Sequence, residues 1–91
     1  MIHQKSSFNL NNEISVSAFP NPNNGKFYIQ VKNAERIDHI EVINIHGINV
    51  YKAYNDAHND ILVDITNQPS GLYLVRVSTN GKIQTTKVVK N

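Results

Sequence analysis

The side chains able to do acid, base or nucleophilic chemistry are few in this chain, and they are scattered. The four histidines, His3, His39, His46 and His58, show none of the short spacings that bring imidazoles to one metal ion. Six serines, Ser6, Ser7, Ser15, Ser17, Ser70 and Ser78, stand outside any Gly-x-Ser-x-Gly elbow. Glu13, Glu35 and Glu41 are isolated from one another. A nucleophile needs a base within hydrogen-bond reach, and that base needs a third group to orient it. No such trio is nominated, so the chain is read as a non-enzyme without a cofactor.

Three further groups offer binding chemistry. Asn55-Asp56-Ala57-His58-Asn59-Asp60 supplies hard oxygen donors, but it lacks the Asp-x-Asp-x-Asp-Gly run and distal Glu of a calcium loop. It reads as a polar turn, because Asn and Asp bond their own backbone. Tyr28 and Tyr51 are candidates for exposed strand faces and hence for a sugar platform, whereas Tyr73 is expected to pack inward with Val75 and Val77. The closing run Lys87-Val88-Val89-Lys90 sets cations beside two apolar residues. Those lysines could protect an edge strand against aggregation. An extended basic segment also suits recognition by strand addition or by an acidic groove.

The chain that must position these groups has 91 residues, enough for one thin core and no deep enclosed site. Charged residues are 18% of it, against an average of roughly 25%. A net charge of +2 is too mild for nucleic acid, and no basic stripe is interleaved with exposed aromatics. Cysteine is absent, which excludes disulfides and Cys-ligated zinc. No apolar run is long enough to span a membrane as a helix. The first seven residues also lack the apolar run of a signal peptide, so any export signal is expected upstream on a longer parent.

Residues 1–13 are polar with isolated Ile2, Phe8 and Leu10, and read as a flexible linker. From residue 14 to 91 the pattern changes to seven short runs of strand character. They cover 14–19, 26–32, 37–45, 48–54, 60–65, 72–79 and 82–90. The third run switches parity between Val42 and Ile43, which predicts a bulge or a strand buried on both faces. Asn80-Gly81 predicts a tight hairpin, and His46-Gly47 another turn. The spacing predicts an all-β fold, a sandwich or small barrel, with about seven strands in two packed antiparallel sheets. The expected core is Phe27, Ile29, Val31, Ile40, Val42, Val50, Ile61, Val63, Ile65, Tyr73, Val75 and Val77. One short helical turn, at 33–36, is conceivable.

Four segments, in order, carry a resemblance. Pro20-Asn21-Pro22-Asn23-Asn24-Gly25 precedes Lys26-Phe27-Tyr28-Ile29. Val42-Ile43-Asn44-Ile45-His46-Gly47-Ile48-Asn49-Val50 follows the pattern apolar-x-Asn-x-x-Gly-x-x-Val. Gln68-Pro69-Ser70-Gly71-Leu72-Tyr73 gives Pro-x-Gly-apolar-Tyr, and Lys87-Val88-Val89-Lys90 gives basic-apolar-apolar-basic. Over residues 14–91 the chain resembles the C-terminal sorting domain of the type IX secretion system of Bacteroidota.

The resemblance implies a non-catalytic Ig-like sandwich that labels a larger passenger protein, joined upstream, for export through the periplasm to the cell surface or beyond. The implied partners are the outer-membrane translocation machinery and a sortase-like surface protease. Weak self-association through edge strands is a further expectation. The alternative is a carbohydrate-binding or adhesive Ig-like module. Within the terminal run, at most one of Val88 and Val89 should enter the core, since neighbours on a strand face opposite ways. Residues 87–90 are therefore expected to matter more for export than for folding, and removal of 88–91 to leave the melting temperature nearly unchanged.

Overall fold

The computed structural model describes residues 13–56 and 60–91. These form seven strands: β1 (Ser15–Phe19), β2 (Lys26–Lys32), β3 (Ile37–Ile43), β4 (Asn49–Asp56), β5 (Asp60–Asp64), β6 (Gly71–Thr79) and β7 (Lys82–Lys90). The strands pair antiparallel in two sheets, a three-stranded one in the order β1-β2-β5 and a four-stranded one in the order β4-β3-β6-β7. The fold is the expected Ig-like sandwich. β4 pairs with β3 instead of joining β5, so the fourth strand belongs to the larger sheet.

Alternation along the strands supplies the core. Phe27, Ile29 and Val31 of β2 and Ile61 and Val63 of β5 face Ile40 and Val42 of β3 and Tyr73, Val75 and Val77 of β6. The odd and even residues of each strand point to opposite faces, so every second residue is buried. Ile37, Ile43 and Val88 join the core beyond expectation. The expected turn at 33–36 forms no helix.

Val50 departs from expectation: it is only partly buried, against the core rim. The cause is the predicted bulge. Val42 pairs with Tyr51 and Ile43 with Asn49, so Val50 is the extra residue without a partner. The same shift turns Tyr51 towards the core, correcting its reading as an outward platform. The third run stops at Ile43 and not Ile45, because Asn44 begins a turn. The fourth run begins at Asn49 and extends to Asp56, so the start of the presumed 55–59 loop is strand. Positions 57–59, and the linker over 1–12, lie outside the described residues; Glu13 accepts a hydrogen bond from Asn33 Nδ2 at 2.9 Å.

Candidate functional site

All four motif segments meet at one end of the sandwich. The register requires it: Phe19 pairs with Tyr28, Lys26 with Asp64, Ile43 with both Asn49 and Leu74, and Gly71 with Lys90. The ends of β1, β3, β5 and β7 and the starts of β2, β4 and β6 therefore share one pole. Three of the motifs there are connections shaped by their own polar groups, and the fourth is the end of β7.

The Pro20–Gly25 loop joins β1 to β2 and, in doing so, covers the end of β7. Asn21 Nδ2 donates to the Lys87 carbonyl at 3.1 Å, and Asn21 Oδ1 accepts from the Val89 N–H at 2.9 Å. The Asn23 N–H donates to the Val89 carbonyl at 2.9 Å, and the Asn91 N–H to the Asn23 carbonyl at 2.7 Å. Asn23 is buried, and its side chain is equally committed: Nδ2 donates to the Pro20 carbonyl and Oδ1 accepts from the Gly25 N–H. A buried amide with every group partnered fixes one loop conformation. Gly25 then accepts a bond from Ile65 N–H at 2.7 Å, which ties the loop to the end of β5.

Gly25 has φ +111°, a region that side chains avoid. A Cβ there would lie 2.8 Å from Lys90 Cε and 2.8 Å from Thr66 Cα. The glycine thus gives room for the Lys90 stem to pass over the loop. Asp64 stands at the same pole with its carboxylate accepting from both the Thr66 hydroxyl (2.7 Å) and the Thr66 N–H (3.0 Å). Those two bonds, with the Lys26 charge opposite, hold its pKa below the ordinary carboxylate range.

The other two motifs are corners of the four-stranded sheet. Asn44 Oδ1 accepts from the N–H groups of both His46 and Ile48, and Gly47 takes the positive φ that closes the turn. In the 69–73 segment Pro69 receives a hydrogen bond from the buried Tyr73 hydroxyl, an arrangement like the tyrosine corner of Ig-like domains. Asn44, Ile45 and His46 on one side and Pro69 to Tyr73 on the other line a shallow hollow.

The terminal run divides between roles. Val88 is 1% exposed and packs beside Tyr73, its partner across β6 and β7. Val89 is 40% exposed on the outer face, Lys87 is exposed beside it, and Lys90 is half-buried over Gly25. This corrects the expectation that residues 88–91 can be removed at little cost to the fold. Their removal would empty a core position and strip the Asn21 and Asn23 bonds from β7. Strand addition at this stretch is also closed unless the loop first moves, since the backbone edge of 87–91 is already paired.

Of the residues singled out by motif, Pro20, Asn21, Pro22, Gly25, Asn44, Gly47, Pro69, Gly71, Tyr73 and Lys87 to Lys90 gather at this pole; Val50 lies next to it as the bulge residue. Asn23 was missed. Its position two residues before a glycine, inside an Asx-rich turn, is the signal that could have found it. Tyr28 is exposed and stacks beside Phe19 with ring centroids 6.0 Å apart, while Tyr51 and Tyr73 face inward.

The family model of the secretion system C-terminal sorting domain matches residues 17–91. A search of curated proteins finds no match. The match runs from within β1 to the end of β7 and takes in the three connections and the strand end that converge on one pole, and it favours sorting over the carbohydrate-binding or adhesive alternative. The chain belongs to the type IX secretion C-terminal sorting domains, signals carried by exported proteins that reach the cell surface or are secreted.

Proposed function

We propose that the domain, spanning residues 14–91, is read through the outer face of its last strand, with Lys87, Val88, Val89 and Lys90 as the recognition segment. The division of labour in that segment supports this reading. Val88 and Lys90 hold the strand to the sandwich, while Lys87 and Val89 stand exposed on a backbone that Asn21 and Asn23 keep in one place. A receptor thus meets a preformed pattern of one cation and one apolar side chain, which lowers the ordering cost of binding. Electrostatic attraction to an acidic receptor surface would speed encounter.

In this reading residues 1–13 join the domain to an upstream passenger. The passenger crosses the periplasm, is handed to the outer-membrane translocation machinery and is released from its label by a sortase-like surface protease acting in the linker. The domain itself performs no catalysis, binds no cofactor or nucleic acid, and self-associates only weakly through its edge strands. A fusion tests the function. The 91-residue chain placed behind an unrelated export-competent protein should carry that protein to the surface of a bacterium with a type IX system. Retention of the fusion inside the cell, together with binding of the purified chain to polysaccharide, would overturn the reading.

A further inference from the structure

The outer face of the four-stranded sheet has a composition that the sorting motifs alone do not explain. Leu72, opposite Val89 in the register, is 40% exposed, and Leu74 lies opposite Lys87 on the same face. Ile45, 74% exposed in the β3–β4 turn, shares the lining of the hollow with Leu72. Ile45 and Leu72 thus line one hollow, with Val89 opposite Leu72, and an exposed apolar group beside a concave surface is a form that contact sites take.

The charges on this face are one-sided. Lys52, Arg76 and Lys87 stand on its outward side. The carboxylate of Glu41 is the acid among the described side chains there, and it already faces two of those cations, Lys52 and Arg76, at 3.9 Å each. Lys87, beside the apolar group, forms no ion pair among the described residues. The outer face of the three-stranded sheet differs: Lys26 stands opposite Asp64 in the register, and Lys32 and Asp60 add one charge of each sign.

We infer that the hollow and its apolar rim are a docking site for an acidic protein surface of the export apparatus, one that seats an apolar side chain between Ile45 and Leu72 and sets carboxylates against Lys87. The chemistry commits to that occupant. An apolar group without charge would be satisfied by any hydrophobic surface, but the unmatched cation beside it selects for acids and against a second copy of this equally basic face. This inference rests on the sorting reading and adds to it Ile45 and Leu72, which lie outside the terminal strand. Neither is needed by the core, since each is exposed.

The test uses the 91-residue chain fused behind an exported reporter, with Ile45→Asp and Leu72→Asp as site variants and Leu62→Asp, on the opposite sheet, as the control. Melting curves on each purified chain identify any variant that fails to fold, and Ile45→Ser and Leu72→Ser then take its place. The expected result is a fall in surface delivery of at least about tenfold for the folded site variants, with the control unchanged, as for a buried contact in an interface. Delivery of the site variants at the wild-type level would overturn the docking site while leaving the sorting function intact. An equal fall in the Leu62 control would overturn it too, because any exposed acid would then suffice. Failure of the wild-type fusion to reach the surface would instead contradict the sorting reading, and the docking site with it.

Discussion

The side-chain amide of Asn21 takes the place of a neighbouring strand for Val89: its Oδ1 accepts the Val89 N–H at 2.9 Å while its Nδ2 donates to the carbonyl of Lys87, two residues back. One side chain thereby pairs two outward-facing groups of the free edge of β7, and the Asn23 backbone pairs the next two, the Val89 carbonyl and the Asn91 N–H. Edge backbone left open is a template for another strand. The loop is thus both a connection and a cover.

Replacement of Asn21 by Ala removes both bonds. Each is solvent-exposed, so the expected loss is modest, about 1 kcal/mol in all. Urea unfolding reads the stability. Sedimentation of the same variant should show more self-association than wild type, because the uncovered edge of β7 is then available. No change in either measurement would show that the cover is incidental.

Gly25→Ala tests the packing of the loop against Lys90 and Thr66. The positive φ and the 2.8 Å approach to the Thr66 backbone act together. A destabilisation of about 2–3 kcal/mol is expected from strain of this kind. A lysine side chain can move aside but a backbone cannot, so Lys90→Ala in the same chain should recover only part of that loss. Full recovery would place the clash on Lys90 alone.

Tyr73→Phe separates the corner hydrogen bond from the packing of the ring. The ring stays buried, and the Pro69 carbonyl loses its donor. The expected cost is about 1–2 kcal/mol, measured by chemical denaturation, with the sandwich intact by circular dichroism. A neutral result would mean that water replaces the hydroxyl at no cost.

Asp64 gives a pH signature. Its pKa is lowered in the folded chain by the Thr66 hydroxyl and N–H and by Lys26, so its charged form is favoured on folding. A group depressed in this way contributes stability above its unfolded pKa, near 4, and the contribution is lost as pH falls from there through the lower folded value. Unfolding free energies of wild type and Asp64→Ala should differ by a constant amount at neutral pH and converge below about pH 4. A difference that stays constant into acid would contradict the assigned cause.

Much of this fold is legible in the sequence for a simple reason. Strands with one buried face print an alternation, and Phe27, Ile29 and Val31 or Tyr73, Val75 and Val77 are such prints. The Asn80-Gly81 hairpin is equally local: both residues take the positive φ that its turn needs. What alternation does not carry is pairing between distant strands. The assignment of β4 to the larger sheet depends on which strand lies alongside, and the parity switch at Val42 and Ile43 announces an irregularity without telling that its extra residue is Val50, on β4, and that Tyr51 turns inward. The motifs were visible singly, but their convergence on one pole was not. Asn21 and Asn23 reach their partners on β7 across more than sixty residues of chain. No local pattern reports that.

Paired measurements on Lys87→Glu test the central claim most directly. Lys87 is exposed and free of ion pairs among the described residues, so the substitution should shift stability by no more than about 0.5 kcal/mol. Surface delivery of the fused reporter should nevertheless fall steeply, because the reversed charge would meet an acidic receptor face. A melting curve within a few degrees of wild type beside lost delivery is the predicted result. Delivery at the wild-type level from the folded variant would contradict the claim that the outer face of β7 is what the export machinery reads.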